Sequence, residues 1–147
     1  MTPKRKPKTP RQKATADRKK KDRKALEDAQ YLWRQITFER AKRCCEICGK
    51  GPFEKGDFRL QAHHLVKRSQ SRRLLLDPQN GAALCPGCHL SADRDPIRCL
   101  ALIGEREQGL VEYLLAERRV LKPRLLEDDM ARLKEVAGMY GIDAGTS

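Results

Sequence analysis

Aromatic residues and histidines are both scarce in this chain of 147 residues. Aromatic side chains make up 5% of the sequence, and histidine occurs only three times. Because aromatic side chains supply much of the apolar area that a core buries, we expect a modest hydrophobic core. The length allows one domain of ordinary size together with a tail.

Long apolar runs are absent as well. No stretch approaches the ~18 consecutive apolar residues of a membrane-spanning helix, and the opening residues 1–4 do not resemble a secretory signal. A membrane-surface role is disfavoured because no apolar anchoring face accompanies the basic residues. We therefore predict a cytoplasmic protein with no membrane partner.

The positive charge is concentrated at the amino-terminal end. The formal net charge is +12, and residues 1–24 hold twelve basic residues against Asp17 and Asp22. With three prolines and no apolar pattern, residues 1–24 are predicted to form a disordered basic tail. Such a tail suits the phosphate backbone of a nucleic acid, which it would bind in a salt-dependent way without reading sequence. A merely solubilising tail is the alternative.

Two Cys-x-x-Cys pairs give the strongest signal in the chain. Cys45 and Cys48 form the first pair, and Cys85 and Cys88 form the second, with 36 residues between the pairs. This spacing is typical of a closed tetrahedral zinc site, because the two sulfurs of each tight turn converge on one ion. Two disulfides are the alternative, which is disfavoured because nothing marks the chain as secreted.

Two further cysteines need separate explanations. Cys44 also has an allowed spacing to Cys48, so the spacing leaves open whether Cys44 or Cys45 is the ligand; Cys45 is favoured because both pairs then have the same form. Cys99 is expected to be a buried, small apolar residue. Residues 85–89 also match a c-type haem attachment pattern, but haem attachment would leave the first cysteine pair unexplained.

All three histidines lie between or beside the cysteine pairs. Residues 58–66 are predicted to form a strand that contains His63 and His64, and residues 82–84 are predicted to form a second short strand. A short helix is predicted to open at His89. Because adjacent strand residues point to opposite faces, His63 and His64 are not expected to bind one ion together.

The motif formed by His63-His64, Asn80 and Cys85-x-x-Cys88-His89 resembles that of the HNH endonucleases over roughly residues 44–95. The resemblance implies an α+β, mostly helical protein. Its small ββα-metal nuclease core would carry a four-cysteine zinc site and be flanked by helices on both sides. It further implies DNA cleavage that leaves 5′-phosphate and 3′-hydroxyl ends. The setting it implies is the nucleoid of a bacterial or phage-infected cell.

The resemblance also implies a role for each polar residue of the motif. His63 and His89 would bind the catalytic divalent metal, Mg²⁺ or Mn²⁺ or another such ion. His64 would be the general base that activates water, and Asn80 would hold the loop that orients this base. Asp93, one helical turn after His89, is an additional candidate ligand, because carboxylate oxygens suit Mg²⁺ and Mn²⁺.

The chemistry of phosphodiester hydrolysis favours the same roles. An imidazole with an ordinary pKa near ~6.5 is a suitable base at neutral pH, provided that it does not bind the metal itself. The alternative is that the histidines belong to the zinc site or are surface residues. Four cysteines already complete a tetrahedral site, which favours separate work for the histidines.

A basic loop follows the histidine pair and contains Lys67, Arg68, Arg72 and Arg73. These side chains are predicted to contact DNA phosphates beside the cleft, which would position the strand without reading its sequence. A solvated loop with no ligand is the alternative.

The predicted organisation has four parts. A basic disordered tail covers residues 1–24, an amphipathic helix covers 25–43, the HNH module with its zinc knuckles covers 44–95, and a helical region covers 96–147. The carboxyl-terminal helices are expected to brace the module, although a partner surface or a dimer contact is also consistent with them. This region more weakly resembles phage recombination endonucleases of the NinG/Rap type, which implies branched or recombining DNA as substrate.

Two functional hypotheses follow from these patterns. The first is a metal-dependent HNH endonuclease acting on duplex or branched DNA. The second is a zinc-stabilised nucleic-acid-binding module without catalysis. Both require zinc and predict salt-sensitive DNA binding, and only the first requires a catalytic metal. Oligomeric state and biological role are left open, because the same motif occurs in homing, recombination, restriction and packaging.

Overall fold

The computed structural model describes residues 6–145, and this part of the chain contains five α-helices and one two-stranded sheet. The helices are α1 (Pro10–Arg40), α2 (Pro86–Arg94), α3 (Pro96–Gly104), α4 (Leu110–Arg118) and α5 (Leu126–Met139). The strands are β1 (Gln61–His64) and β2 (Gly81–Leu84), and a short 3-10 helix, Pro78–Asn80, leads into β2. The predicted fold class is confirmed: a small ββα unit, formed by β1, β2 and α2, is flanked by helices on both sides.

Helix α1 begins much earlier than predicted. The Oγ1 atom of Thr9 accepts a hydrogen bond from the backbone N–H of Gln12 at 3.3 Å, and the side chain of Gln12 accepts one from the backbone N–H of Thr9 at 3.0 Å. This capping box, with Pro10 in the first helical position, starts the helix at residue 10. The predicted disorder is therefore wrong for residues 10–24, and residues 1–5 lie outside the described residues.

The two strands are antiparallel and short. His63 lies opposite Ala82, and His64 lies opposite Gly81. Strand β1 occupies only the centre of the predicted range 58–66, because a turn precedes it in which Asp57 accepts a hydrogen bond from the backbone N–H of Arg59. The chain leaves the sheet directly after His64. The pair of histidines therefore lies at the end of the strand.

Helix α2 starts one turn before the predicted position at His89. Cys85 has the extended backbone of a capping residue, and Pro86 occupies the first helical position, where its missing N–H costs nothing. His89 consequently lies inside the helix. The second cysteine pair forms the beginning of the same helix, so the sulfur and imidazole groups share one element.

Two hydrophobic clusters stabilise the fold. The first packs the cysteine-rich segment and β2 against α2, α3 and α4. The second packs α1 against α5 and Leu76. Cys99 is buried in the first cluster, as predicted. No helix in the described range of residues 6–145 is both long enough and apolar enough to cross a membrane.

Helix α1 crosses strand β2 at Gly81. A Cβ atom at this position would overlap the Oγ1 atom of Thr37 and lie 3.0 Å from the ring of Trp33. The absence of a side chain therefore allows the closest approach between the long helix and the sheet. Arg40, one turn further along α1, donates hydrogen bonds to the carbonyl groups of Pro78 and Gly81.

The buried carboxylate of Asp77 connects the ββα unit to the carboxyl-terminal helices. Its Oδ2 atom accepts hydrogen bonds from the hydroxyl of Tyr113 at 2.6 Å, from Arg124 at 2.8 Å and from Arg132 at 3.0 Å. Burial by itself raises the pKa of Asp77, but these donors outweigh it and hold the pKa below its ordinary value. The backbone carbonyl of Asp77 also accepts a hydrogen bond from the indole of Trp33 at 2.8 Å.

Replacing Asp77 with alanine is expected to lower the free energy of unfolding by about 3–5 kcal/mol, because Arg124 and Arg132 would lose their buried carboxylate partner. Chemical denaturation at a fixed zinc concentration measures this change. Asp128→Ala, in an exposed position of α5, is the matched control and should cost less than about 1 kcal/mol. Equal losses in the two variants would show that the Asp77 cluster does not hold the helices.

Candidate metal centres and catalytic cleft

The four cysteines of the two Cys-x-x-Cys pairs form one group. The sulfur atoms of Cys45, Cys48, Cys85 and Cys88 all lie within 4.8 Å of one another, and those of Cys48 and Cys85 are 3.7 Å apart. Sulfurs bound tetrahedrally at about 2.3 Å from zinc lie about 3.8 Å apart. The group therefore fits a single zinc ion. Cys44 and Cys99 are not part of it.

The electrostatics of these four thiols also favour a bound cation. Burial and hydrogen bonds with the other three cysteines raise the pKa of Cys88. Burial by itself also raises the pKa of Cys45, but backbone hydrogen bonds from Cys48 and Cys85 bring it down to about 7. Four sulfurs this close repel one another as thiolates unless a cation neutralises them. A bound zinc ion supplies that charge and deprotonates the thiols it binds.

Hydrogen bonds from Glu46 connect the first cysteine pair to strand β2. Its carboxylate accepts a hydrogen bond from the backbone N–H of Ala83 at 2.7 Å, and its own backbone N–H donates to the carbonyl of Ala83 at 2.9 Å. Arg106 donates to the other carboxylate oxygen at 3.0 Å. The position of Cys45 and Cys48 is thus set by the sheet as well as by the ion that their sulfurs would share.

A second group of potential metal ligands lies between β1 and α2. Ligand atoms of His63, His89 and Asp93 lie within 4.8 Å of one another. The rings of His63 and His89 meet edge to face with centroids 4.9 Å apart, and Nδ1 of His89 is 3.4 Å from a carboxylate oxygen of Asp93. His63 is buried, whereas half of the Asp93 side chain is exposed. The group therefore opens toward solvent on one side.

The chemistry of this second group suits a hard divalent cation. Two imidazole nitrogens and one carboxylate oxygen are ligands for Mn²⁺ and related ions, and three protein ligands leave positions for water or substrate. Burial, together with the nearby charge of His89, lowers the pKa of His63 to about 4. His63 is therefore neutral at physiological pH, which is the form of imidazole that binds metals.

His64 is not part of this group and packs against helix α1. Its ring stacks on that of Trp33 with centroids 4.1 Å apart and planes 9° from parallel. Its Nε2 atom lies 2.9 Å from the backbone carbonyl of Leu75. Because a carbonyl only accepts hydrogen bonds, Nε2 carries the proton, and Nδ1 keeps its lone pair. Burial lowers the pKa of His64, so that its ring tends toward the neutral form.

Asn80 is fully buried and holds the loop that follows β1. Its Oδ1 atom accepts a hydrogen bond from the backbone N–H of Val66 at 2.7 Å. Its Nδ2 atom donates to the carbonyl groups of Val66 and Leu74, each at 3.0 Å. The amide thus ties both ends of residues 66–74 together. The carbonyl that meets His64 belongs to the next residue, Leu75.

The four basic residues predicted to contact DNA differ in their surroundings. Lys67 and Arg68 lie close enough to the histidines for their charges to lower the pKa values of His63 and His64, respectively. The side chains of Arg68 and Arg72 are exposed.

The side chain of Arg73 is held by contacts within the protein. Its Nε atom forms a salt bridge of 2.6 Å with Glu117, and its guanidinium also donates to the carbonyl of Lys122. Three quarters of its side chain is buried, with 23% exposed. Arg73 therefore ties the loop to α4, and a phosphate contact by Arg73, which stays a prediction, would compete with this salt bridge.

Several contacts around His64 could not be recognised from the sequence. The stacking of Trp33 on His64 depends on where α1 crosses the sheet. The Leu75 carbonyl is a backbone group and leaves no trace in the sequence. The partners of Asp77, Tyr113 and Arg124, are distant in the chain, at separations of 36 and 47 residues.

Comparison with known proteins identifies the segment that contains both groups. Residues 45–94 match the family model described as HNH endonuclease. The matched segment runs from the first zinc-type cysteine to the end of α2, and it includes His63, His64, Asn80 and His89. Neither the curated proteins nor the solved structures include a match to this chain.

We expect the purified protein to contain about one zinc ion per chain. Cys88→Ser should abolish stoichiometric zinc binding and lower the melting temperature, because one of four ligands is lost. Zinc content by elemental analysis, together with thermal unfolding, measures both effects. Cys44→Ser is the matched control, since Cys44 and Cys88 are half-buried to a similar degree and Cys44 lies outside the sulfur group. Loss of zinc in the Cys44 variant would contradict this ligand assignment.

Proposed function

Because residues 45–94 match the family model described as HNH endonuclease, we propose that this chain is a metal-dependent nuclease that hydrolyses phosphodiester bonds in DNA. The observation that supports this most directly is the division of ligands into two groups. Four sulfurs form a closed group, while His63, His89 and Asp93 form an open one. A protein that used zinc only for stability would have no need of the second group.

The second group would hold the catalytic cation. His63, His89 and Asp93 are the residues that would bind Mg²⁺, Mn²⁺ or a related divalent ion. Such an ion supplies charge stabilisation for the phosphate and for the leaving 3′ oxygen. The partly exposed Asp93 and the half-buried His89 leave this side of the group accessible to a phosphate. The sulfur group would hold a structural zinc ion that takes no part in the reaction.

His64 is the general base in this proposal. With its Nε2–H donated to the carbonyl of Leu75, the ring presents Nδ1 as a proton acceptor. The Nδ1 atom takes a proton from water, and the oxygen of that water attacks phosphorus. The bond between phosphorus and the 3′ oxygen breaks, and the 3′ oxygen takes a proton from solvent, which leaves a 5′-phosphate and a 3′-hydroxyl end. His64 remains free for this task because it is not one of the potential ligands of the second group.

Asn80 serves as a positioning residue. It is fully buried, so it does not reach the substrate. Its three hydrogen bonds to the backbone of Val66 and Leu74 fix the loop that carries the Leu75 carbonyl. The stacking of Trp33 restrains the other side of the imidazole. Base orientation therefore depends on buried contacts made from two sides.

DNA is the proposed substrate, and the basic residues beside the cleft support it. Lys67, Arg68 and Arg72 provide positive charge next to the histidines, and contacts from these residues to phosphates would position a strand without reading its sequence. The resemblance to recombination endonucleases of the NinG/Rap type, with branched DNA as substrate and a phage role, stays a prediction. So does the cytoplasmic, nucleoid-associated location.

His64→Ala is expected to lower the rate of plasmid nicking by a factor of about 10² to 10⁴, because the water would lose its proton acceptor. Nicking is measured on supercoiled plasmid and on branched duplexes with Mg²⁺ or Mn²⁺ in excess. DNA affinity and zinc content should stay close to those of the wild type. Ser69→Ala, an exposed residue of the same loop, is the control and should cleave normally.

The outcomes separate the two functional hypotheses. Undiminished cleavage by pure His64→Ala would remove His64 as the base while leaving nuclease activity in place. Wild-type protein that binds DNA tightly but cleaves neither substrate with any divalent metal would favour the zinc-stabilised binding module. Cleavage without added divalent metal, after chelation that leaves the zinc bound, would contradict the role given to the second group.

A further inference from the structure

The amino-terminal half of helix α1 is a strongly basic rod. Residues 11–24, called the basic arm below, hold eight basic residues and two acidic residues. Every residue of the arm is exposed to solvent except Ala16, which is half-buried. Packing against the rest of the protein begins only at Leu26 and Ala29. The arm therefore leaves the domain as a helix with no apolar side of its own.

Most of the charge on the arm is not neutralised within the protein. In residues 6–145, the ion pairs formed by the arm are Arg23 with Glu27 and Lys24 with Asp28, both on the surface of α1. Lys20 lies three residues before Arg23 and four before Lys24, and like charges at these spacings on a helix repel one another. A ligand with closely spaced negative charges would relieve this repulsion.

The arm is continuous with the part of α1 that contacts His64. Trp33, which stacks on His64, and Arg11, at the far end of the arm, belong to the same unbroken helix. At about 1.5 Å per residue, these two positions are about 33 Å apart along the helix axis. One turn of B-DNA spans about 34–36 Å. The arm therefore extends from the Trp33 position by about the length of one turn of a DNA duplex.

The arm also starts beside the basic loop of the cleft. Asp22 and Leu26 of α1 line one surface cleft together with Arg68, Arg72 and Leu126. The charge of Arg68 is in turn close enough to lower the pKa of His64. Arg68 and Arg72 thus line the same surface cleft as Asp22, near the end of the arm that joins the domain.

We propose that the basic arm binds the phosphate backbone of duplex DNA on one side of the cleavage position, over about one helical turn. This inference rests on the proposed function, because it takes His64 to mark where the strand is cut. The arm holds no aromatic side chain for stacking on single-stranded bases, and it has no apolar face for a membrane. An α-helix fits the wide major groove of B-DNA, whereas the deep, narrow groove of double-stranded RNA excludes it.

The test compares two triple variants that remove the same charge. Lys19, Lys20 and Lys21 are changed to Gln in the arm variant, and Lys50, Lys55 and Lys134, all exposed, are changed to Gln in the control. Glutamine and lysine have similar helix propensity, so the arm should stay helical. Both triples are made in the full chain carrying His64→Ala, so that cleavage does not disturb the binding measurement. Equal zinc content and melting temperature establish that both proteins are folded.

Fluorescence anisotropy with duplexes of about 10 and about 30 base pairs gives the readout. On the longer duplex, we expect the arm variant to bind at least about tenfold more weakly than the control at ~0.1 M salt. The slope of log affinity against log salt should fall in magnitude by up to about 2.7, at ~0.9 per lost phosphate contact. On the shorter duplex the two variants should differ much less, because the cleft and loop already cover it.

The alternatives give different results. Equal affinities and salt slopes for the two triples on the long duplex would overturn the proposal, and so would a loss that appears on double-stranded RNA but not on DNA. A loss of the same size on both duplex lengths would also overturn it, since the arm would then act at the cleft itself. If the wild-type chain cleaves no DNA but the arm variant still shows the length-dependent loss, the proposed catalysis fails and the arm assignment stands.

Discussion

Helix α2 is the constraint on which the rest of the site depends, because it carries ligands of both groups. Cys85 caps its amino-terminal end, Cys88 lies in its first turn, and His89 and Asp93 follow further along the same helix. Sulfur binding at one end of a short helix therefore fixes where the imidazole and the carboxylate lie. The antiparallel register then brings His63 to meet them from the neighbouring strand.

His64 is held by a different set of contacts. His64 lies between the ring of Trp33 and the carbonyl of Leu75, and neither contact involves a metal ligand. The loop that supplies the carbonyl is tied from within by Asn80. It is tied from outside by Arg73, through a salt bridge to Glu117 of α4. The carboxyl-terminal helices thus take part in orienting the imidazole, although they lie outside the matched segment.

Asp77 shows why this bracing requires a buried charge. It stands between the loop and β2, and it gathers Tyr113, Arg124 and Arg132 from three separate parts of the carboxyl-terminal region. A buried carboxylate costs desolvation energy, which the three donors offset. Apolar residues would pack there equally well, but they would not specify one arrangement of α4 and α5 in the same way. We regard this directional requirement as the reason for the charge.

The four-cysteine group could be predicted from spacing within short segments, while the ββα-metal core and the second ligand group were implied by the resemblance to HNH endonucleases. Cys-x-x-Cys pairs and a strand-end histidine pair carry their geometry locally. The contacts of His64 could not be predicted, because Trp33 reaches His64 only where α1 crosses over Gly81. The salt bridge of Arg73 could not be predicted, since its partner Glu117 is 44 residues away. The early start of α1 was readable from Thr9 and Gln12, but the charge and prolines of that segment favoured disorder.

The sharing of α2 also has a thermodynamic consequence for measurements of cation affinity. In protein stripped of its zinc, only the fraction of molecules with a correctly formed α2 presents His89 and Asp93 to His63. For an ion bound by the second group, the apparent dissociation constant is the intrinsic dissociation constant divided by that fraction. Titrations of the stripped protein would thus report the equilibrium of the helix as much as the strength of the ligands. Chelation of one ion would weaken the binding of the other without any direct contact between them.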